Sequence, residues 1–373
     1  MNGLGGLVLL SAGGTGGHVF PAEALAAELL RRGYRLAVIT DRRGQAYGDT
    51  LGQLTTYRIS AGGIAGRSLP ARLYAAGELG LGFVQACLLL KRLSPLAVIG
   101  FGGYASVPTM AAAATVGCRT ALHEQNAVLG RANRLLAARV TRIATCYAQV
   151  EHLAAAWRSK VVQTGMPVRR PILDMRERAY RPPSAEGPIR LLVLGGSQGA
   201  RALSEIVPAA LALLPDGLRR RIEVSQQCRP EDLDSARRAY AASGIAAILD
   251  TFFHDVPERL ADAHLVIGRA GASTVAELTA VGRPSILVPY PHAIDDHQTA
   301  NALAVDEAGG GWLMPQAALT PEALAARIDS LFALPESLVK AAACARASGA
   351  PDAARRLADL AGSLITSRAE VAP

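Results

Sequence analysis

VIGRAGASTVAELTAVGRPSILVPYPHAIDDHQTAN, residues Val266–Asn301, alternates short apolar runs with glycine-rich and helical segments. The run Leu265–Ile267 predicts a buried strand, the small residues after Gly268 predict a tight turn, and Val275–Ala280 predicts a helix. A second apolar run, Ser285–Val288, predicts the next strand. This order of strand, turn, helix and strand is typical of a parallel α/β sheet.

The turn in this stretch is suited to a nucleotide-sugar. A turn between a strand and a helix points backbone N–H groups and the positive end of a helix dipole at an anion. Glu277 lies one helical turn inside, where its carboxylate can accept hydrogen bonds from two ribose hydroxyls. Asp296, Gln298 and Asn301 follow at a junction between a loop and a helix, and their side chains suit sugar hydroxyls. An ordinary βαβ unit with glycines for tight packing explains this stretch equally well.

The composition limits the class of protein. The 373 residues suffice for two domains, and a 50% hydrophobic content excludes a disordered chain. The net charge of +8 favours an anionic partner, but the 5% aromatic content argues against a stacking platform for single-stranded nucleic acid. The 5 cysteines lie far apart, so neither a disulfide framework nor a zinc site is predicted, which fits a reducing cytoplasm. We predict no signal peptide and no membrane span, because the longest apolar stretch, Leu79–Leu90, is too short.

A second glycine-rich turn lies near the N-terminus. The apolar run Leu7–Leu10 predicts a strand, and glycine occupies four of the five positions 13–17 before His18. These glycines leave the backbone open to close approach by a ligand, although their spacing does not match the dinucleotide fingerprint G-x-G-x-x-G. His18 either caps the turn or acts as a general base or anion contact, and the residues alone favour capping.

A polar cluster follows the predicted strand Arg119–Leu122. We predict a loop over His123–Asn126, at the edge where open α/β sheets place their ligands. Glu124 and Asn126 can bind hydroxyls there, and a purely structural turn is the alternative.

The segment Ala71–Leu93 predicts a helix with mixed apolar and basic residues. These residues would form a surface for acidic lipids, although periodicity alone favours a core helix with solvated charges. The membrane-facing candidates are Arg67, Arg72, Leu73, Leu79, Phe83 and Arg92.

The two halves of the chain resemble each other. The segment that begins at Val98 parallels the one that begins at Val266, and Leu7–His18 parallels Leu191–Arg201. This repetition predicts two similar doubly wound α/β domains. We place them at residues 1–164 and 165–349, and expect a C-terminal helix, about 350–366, to pack back on the first domain.

Motifs in order along nearly the whole chain carry a family resemblance. They are GGTGGHVFPA at 13–22, GFGGYASVP at 100–108, HEQNAVLGRANRLLA at 123–137, GMPVR at 165–169, GGSQGAR at 195–201, GASTVAEL at 271–278 and DDHQTANA at 295–302. The chain resembles the bacterial undecaprenyl-diphospho-muramoylpentapeptide β-N-acetylglucosaminyltransferases, which convert lipid I to lipid II. The resemblance implies the α/β GT-B architecture, with two Rossmann-like domains facing each other across a cleft. Met166 and Ala270 depart from the family, which more often has Asn and Ser there.

The resemblance also implies a site for UDP-N-acetylglucosamine, held mainly by the second domain. Glu277 would bind the ribose, Gln298 the sugar and Phe253 the uracil, while Ser197 and Arg169 would complete the phosphate site. The implied donor-binding residues are Thr15, Gly16, Gly17, Asn126, Arg169, Ser197, Phe253, Ala272, Ser273, Thr274, Val275, Ala276, Glu277 and Gln298.

The implied reaction inverts the donor's anomeric carbon, so it needs one base on the acceptor hydroxyl. We assign that role to His18, with Glu124 as the alternative. We expect no cofactor and no metal, because helix N-termini and Arg169 can stabilise the leaving diphosphate.

The implied setting is the cytoplasmic face of the inner membrane, where the protein would be peripheral. The implied partners are lipid I, anionic lipids, and cell-wall synthesis and division proteins, but no nucleic acid. The resemblance also implies roles in peptidoglycan synthesis, cell shape and cell division. A UDP-N-acetylglucosamine 2-epimerase of the same fold and a non-catalytic nucleotide-sugar-binding module remain alternatives.

Overall fold

A computed structural model describes residues 5–13, 16–41, 49–62, 69–196 and 200–369. The chain divides into two compact units. The first comprises Met1–Arg169 and Ala350–Pro373, and the second comprises Arg170–Gly349. The first boundary lies five residues beyond the one we placed after residue 164.

The first unit is a parallel α/β unit. Its strands are β1 (Leu7–Ser11), β2 (Arg35–Thr40), β3 (Thr55–Arg58), β4 (Ala97–Gly100), β5 (Arg119–Glu124), β6 (Arg142–Thr145) and β7 (Val161–Gln163). Its helices are α1 (Gly16–Arg31), α2 (Asp49–Gly52), α3 (Leu69–Leu93), α4 (Val107–Thr115) and α5 (Arg131–Leu136). Neighbouring strands are parallel in the order β3-β2-β1-β4-β5-β6-β7, so the order reverses between β1 and β4.

Both faces of this sheet are covered. Val8 and Leu10 of β1 belong to one buried cluster and Leu9 to the other, because successive side chains of a strand point to opposite faces. This double burial explains why β1 appears in the sequence as an unbroken apolar run.

The second unit repeats the plan. Its helices are α6 (Arg170–Asp174), α7 (Arg201–Ala212), α8 (Asp216–Arg219), α9 (Leu233–Ser243), α10 (Val256–Asp262), α11 (Ala272–Val281), α12 (His297–Glu307), α13 (Pro321–Ala333) and α14 (Pro335–Ser348). Its strands are β8 (Ile189–Leu194), β9 (Ile222–Gln227), β10 (Ala246–Asp250), β11 (Leu265–Gly268), β12 (Ser285–Leu287) and β13 (Gly311–Leu313). The parallel order β10-β9-β8-β11-β12-β13 reverses between β8 and β11.

The last helix, α15 (Ala353–Ala369), belongs to the first unit. Its buried residues Leu357, Ala361 and Leu364 lie in the same cluster as Leu25 and Leu29 of α1. Arg32, just after α1, also donates a hydrogen bond of 2.8 Å to Asp359.

The structure corrects two element boundaries near the predicted site. His123 and Glu124 are the last residues of β5, although their polarity led us to predict a loop. Helix α11 begins at Ala272, three residues before the predicted start at Val275.

Candidate active site

The glycine-rich turns follow the strands at which each sheet reverses its order. In the first unit, β1 is followed by Gly13 and β4 by Phe101–Gly103. In the second unit, β8 is followed by Gly195–Gly196 and β11 by Arg269–Gly271. Ligands of open α/β sheets bind outside the carboxyl ends of the strands at such reversals.

The N-terminus of α11 offers donors to an anion. Gly271 is the N-cap residue, and no side chain caps the helix. The N–H groups of the first turn have no acceptor inside the helix, and the helix dipole is positive at this end. The Ser273 Oγ is buried and has no hydrogen-bond partner among the described residues. These donors suit a phosphate or diphosphate group.

The residues of α11 that are predicted to bind the sugar nucleotide fall into two groups. Ala272, Ser273 and Thr274 form the first turn and are partly exposed, whereas Val275 is buried in the core. Ala276 and the half-buried Glu277 follow on the next turn. Val275 therefore supports the helix rather than presenting its side chain to a ligand.

Arg269 supports the turn before α11, and sequence reasoning missed it. Its guanidinium donates to the carbonyl oxygens of Val288 (3.2 Å) and Pro289 (3.0 Å), and to the Gln316 side chain (2.7 Å). Burial lowers the pKa of Arg269. Its role is to join the ends of β11 and β12. The sequence offered one signal for this role, a single charged residue between two apolar runs.

The predicted sugar-binding cluster on α12 separates in the structure. Asn301 is fully buried, and its amide donates to the Ala270 carbonyl at 3.1 Å. Asp296 is exposed and accepts a hydrogen bond of 2.7 Å from Thr299. Gln298 is partly exposed, and its Oε1 accepts from the Tyr290 N–H at 3.0 Å, which orients the amide. Asn301 therefore supports the turn before α11, whereas Asp296 and Gln298 lie nearer the surface.

The two aromatic residues after β10 differ in exposure. Phe253, the predicted uracil contact, is 5% exposed, and the Arg259 guanidinium lies 4.3 Å from the centre of its ring. The neighbouring Phe252 is 59% exposed. Phe252 therefore presents the accessible ring, and the Phe253 side chain is part of the core.

His18 lies in the first turns of α1 and contacts the β5 edge. Its Nδ1 is 3.2 Å from the Gln125 Oε1. Gly102 and Gly103, with φ of +84° and +73°, lie against the ring. A Cβ added at Gly103 would be 3.4 Å from the His18 Nε2. The imidazole therefore packs against a segment whose positive φ values favour glycine.

Glu124 holds the loop that follows β5. It is 2% exposed, and its Oε2 accepts from the Gly130 N–H at 2.8 Å and the Asn133 amide at 2.7 Å. Its Oε1 accepts from the N–H (3.0 Å) and the side-chain amide (3.3 Å) of Asn126. A carboxylate with four donors is better suited to fixing the loop than to taking a proton. Asn126, which is predicted to contact the sugar nucleotide, is positioned by Glu124.

The remaining predicted residues are placed as follows. Gly16 and Gly17 begin α1, and the Arg169 guanidinium lies 4.2 Å from the centre of the Phe20 ring. Met166 is buried. The predicted residues Thr15, Ser197 and Arg67 lie outside the described residues, and the Arg72 side chain is likewise not described.

Helix α3 presents an apolar outer face. Its residues Leu73, Tyr74, Leu81, Val84 and Leu88 are each more than half exposed. We call this set the outer face of α3. It ends at two exposed basic residues, Lys91 and Arg92.

The structure corrects which residues of α3 face outward. Phe83, predicted to face the membrane, packs against the core, and Leu79 is only partly exposed. Ala75, Ala86 and Leu90 form the buried side.

The helix predicted over Ala71–Leu93 is confirmed, because α3 extends over Leu69–Leu93. Within the described residues, Leu73–Leu93 is long and apolar enough to cross a membrane by length and composition, with a mean hydropathy of 1.6 over a window of which 22% is buried. The predicted apolar stretch Leu79–Leu90 is therefore too narrow.

Among the described residues, no group of three or more His, Cys, Asp or Glu side chains is arranged to hold a metal ion. An Asp-x-Asp triplet can hold a divalent ion on a nucleotide-sugar, and one occurs at Asp232–Asp234, but both carboxylates are paired with arginine. Arg229 lies 2.7 Å from Asp232, and Arg237 lies 3.0 Å from Asp234.

Two protein-family models match most of the chain. The model of the glycosyltransferase family 28 N-terminal domain matches residues 8–145. The model of the glycosyltransferase family 28 C-terminal domain matches residues 190–357.

Relatives match over nearly their full lengths. A protein of Paramagnetospirillum magneticum (strain AMB-1) is 67% identical over 359 residues, which is 96% of this chain and 97% of the relative. A protein of Rhodospirillum rubrum is 61% identical over 353 residues, 95% of this chain and 90% of the relative. Both are named UDP-N-acetylglucosamine--N-acetylmuramyl-(pentapeptide) pyrophosphoryl-undecaprenol N-acetylglucosamine transferase.

Solved structures share the architecture. MurG of Acinetobacter baumannii is 29% identical with a TM-score of 0.76, covering 95% of this chain and 98% of that chain. A UDP-N-acetylglucosamine 2-epimerase has a TM-score of 0.63 at 14% identity, covering 94% of each chain, which shows a common fold alone. The predicted two-domain GT-B fold is confirmed.

Proposed function

We propose how this chain, which belongs to the family 28 glycosyltransferases, transfers N-acetylglucosamine from UDP-N-acetylglucosamine to lipid I. The acceptor is the C4 hydroxyl of the N-acetylmuramyl sugar, and the product is lipid II. The reaction is a step of peptidoglycan synthesis.

One observation carries the assignment of the donor site. The N-terminus of α11 is uncapped at the point where the second sheet reverses, and the Ser273 Oγ beside it is buried without a partner among the described residues. We assign the donor diphosphate to this helix end. The site is built for an acceptor-rich group, since an unsatisfied buried hydroxyl costs free energy until a ligand pairs with it.

The rest of the donor is assigned from this anchor. Glu277, one turn into α11, accepts the ribose hydroxyls. Gln298, oriented by the Tyr290 N–H, contacts the sugar. We assign the uracil to the loop after β10, with the exposed Phe252 ring as its apolar contact.

The chemistry requires one base and stabilisation of one leaving group. The acceptor C4 oxygen forms a bond to the anomeric carbon while the bond from that carbon to the diphosphate oxygen breaks, and its electron pair leaves with UDP. The hydroxyl proton passes to His18, which we assign as the general base. Attack from the face opposite the leaving group turns an α-linked donor into a β-linked product. Negative charge developing on UDP is stabilised by the N-terminus of α11. Arg169, in the first unit, is proposed to assist.

Calorimetry with UDP tests the donor site. We expect Glu277→Ala to weaken UDP binding by about 10- to 100-fold, since hydrogen bonds to a charged acceptor contribute ~1.5–3 kcal/mol. The matched control is Glu258→Ala, because Glu258 is an exposed glutamate of the same unit. Equal affinity of the Glu277 variant and the control would remove Glu277 from the site.

Kinetics test the base. We expect His18→Ala to lower kcat by roughly 10²–10⁴-fold with little change in UDP affinity. A kcat within a few-fold of the parent, with only the donor KM raised, would make His18 a binding residue.

We also propose that the protein is peripheral at the cytoplasmic face of the inner membrane and docks through the outer face of α3. An exposed apolar surface gains free energy on entering the interface, and adjacent basic residues each add about 1 kcal/mol near anionic lipid. Lys91 and Arg92 lie at one end of this face. Association with cell-wall synthesis and division proteins, and roles in cell shape and division, stay predictions.

Sedimentation with vesicles tests this docking. We expect Leu81→Gln with Leu88→Gln to reduce binding to vesicles containing anionic lipid, while soluble UDP binding is unchanged. The matched control carries Leu213→Gln and Leu334→Gln, because these leucines are equally exposed but belong to the second unit. Equal sedimentation of both double variants would place the membrane surface elsewhere.

A further inference from the structure

We propose that Gln125 is a positioning residue that fixes His18 as its Nδ1–H tautomer, so that Nε2 is the ring nitrogen that accepts the proton of the acceptor hydroxyl. This inference rests on the proposed function, in which His18 is the general base. Sequence reasoning assigned no role to Gln125, which lies 107 residues from His18 along the chain.

The orientation of the Gln125 amide is determined by its surroundings. Its Nε2 lies 2.9 Å from the Phe101 carbonyl oxygen and 3.0 Å from the His123 carbonyl oxygen. A carbonyl oxygen can only accept a hydrogen bond, so the amide nitrogen must occupy this position. The opposite orientation would place Oε1 against two other oxygens in a buried site. Gln125 is 2% exposed, so water does not relieve such a clash.

His123 is consistent with this orientation. Its Nε2 lies 3.1 Å from the Gly165 carbonyl oxygen and therefore carries a hydrogen. Burial lowers the pKa of His123 to about 4, so the ring is neutral near pH 7 and its Nδ1 holds a lone pair. That Nδ1 lies 3.1 Å from the Gln125 Nε2, whose two hydrogens are shared among this lone pair and the two carbonyl oxygens.

The tautomer of His18 follows from these contacts. With the Gln125 nitrogen facing the carbonyl oxygens, Oε1 faces the His18 Nδ1 at 3.2 Å. An amide oxygen is only an acceptor, so Nδ1 must carry the hydrogen and the neutral ring has its lone pair on Nε2. Free histidine in water prefers the opposite tautomer, with hydrogen on Nε2. Gln125 therefore selects the form in which Nε2 can act as a base.

The ring is also fixed in position. Gly102 and Gly103 lie against it, and a Cβ at Gly103 would come within 3.4 Å of Nε2. The Phe101 carbonyl that holds Gln125 immediately precedes these glycines, so one segment positions both the ring and its partner.

NMR of the full chain labelled with ¹⁵N-histidine tests the inference directly. At roughly pH 8, well above the ordinary histidine pKa of about 6.5, long-range ¹H–¹⁵N correlations identify the protonated nitrogen of each ring. The His18 signals are those lost in His18→Gln. We expect hydrogen on the His18 Nδ1 in the parent and on Nε2 in Gln125→Met. The matched control is Gln85→Met, because Gln85 lies in the same unit and, among the described residues, its side chain bonds the Ser60 N–H and no histidine.

Kinetics of the same variant separate positioning from folding. Gln125→Met should lower kcat about 10- to 100-fold with the donor KM within a few-fold of the parent. Hydrogen on the His18 Nε2 in the parent would overturn the inference even if every Gln125 variant failed to fold. An unchanged His18 tautomer in folded Gln125→Met would overturn it as well.

The NMR result does not depend on activity. If His18→Gln retained kcat, the assignment of His18 as the base would fail. The His18 tautomer in the parent and in Gln125→Met would still show whether Gln125 fixes it.

Discussion

Replacing Glu124 by glutamine should loosen the loop after β5. The change places an amide NH₂ against two donors, whichever way the side chain is turned. On one side these are the Gly130 N–H and the Asn133 amide, at 2.8 and 2.7 Å, and on the other both are donors of Asn126. Two hydrogen bonds to a charged acceptor are lost, each of ~1.5–3 kcal/mol, which gives about 3–6 kcal/mol.

Hydrogen exchange measured by mass spectrometry resolves this local effect, which global unfolding of a two-domain chain would blur. In Glu124→Gln, we expect peptides covering residues 123–133 to lose protection by roughly two to four decades, at ~1.4 kcal/mol per decade. The matched control is Glu151→Gln. Glu151 has an exposed side chain, but its backbone pairs with the same loop through Ala127 and Leu129. The control should change stability by less than about 0.5 kcal/mol.

The opposite pattern would refute this reasoning. If Glu124→Gln kept full protection of the loop while kcat fell by roughly 10²-fold or more, Glu124 would be the general base and not the residue that fixes the loop.

Other substitutions and conditions test neighbouring parts of the account. Gly103→Ala should lower stability, as thermal melting would show, because alanine is strained at a φ of +73°, and it should lower kcat, as steady-state kinetics would show, because relief of that strain would move the segment that contacts the His18 ring. Because His123 stays neutral when folded, with its pKa lowered to about 4, the unfolded chain binds an extra proton below pH ~6.5. Stability is therefore complete above that pH, and ~3 kcal/mol is lost as pH falls to about 4; urea titrations of His123→Gln should lack this slope. Ser273→Ala should raise the donor KM several-fold without lowering the melting temperature, because its Oγ bonds no described residue, whereas the matched control Ser285→Ala should leave KM unchanged.

The fold could be predicted because local patterns and global architecture agree. Apolar runs such as Leu7–Leu10 are buried on both faces of a parallel sheet, and glycine follows them where the sheet order reverses. The repetition between the halves then indicated two domains of one plan.

The site was harder to predict where a residue's role depends on its three-dimensional neighbours. Phe252 and Phe253 are adjacent and identical, so only the path of the loop decides which ring is exposed. Glu124 is charged, which favours a loop, yet the hydrogen-bond donors around its carboxylate allow it to end a buried strand. The contact of His18 with Gln125 joins residues far apart in the sequence and follows only from the order of the strands.

Helix α3 shows a different limit. Apolar residues occur nearly all around it, so periodicity does not distinguish its two sides. Phe83 is predicted to face the membrane with Leu73 and Leu79, but it packs against the core on the same side as Ala86 and Leu90.

The most direct test of the account is a transfer reaction with the full chain, UDP-N-acetylglucosamine and a lipid I analogue, in which the anomeric configuration of the new linkage is read by NMR. We expect a β-linked disaccharide on the prenyl diphosphate, one UDP released per linkage, and no sugar product without acceptor. Formation of an α-linkage would contradict direct inversion. Conversion of the donor to its 2-epimer without acceptor would contradict the transferase itself.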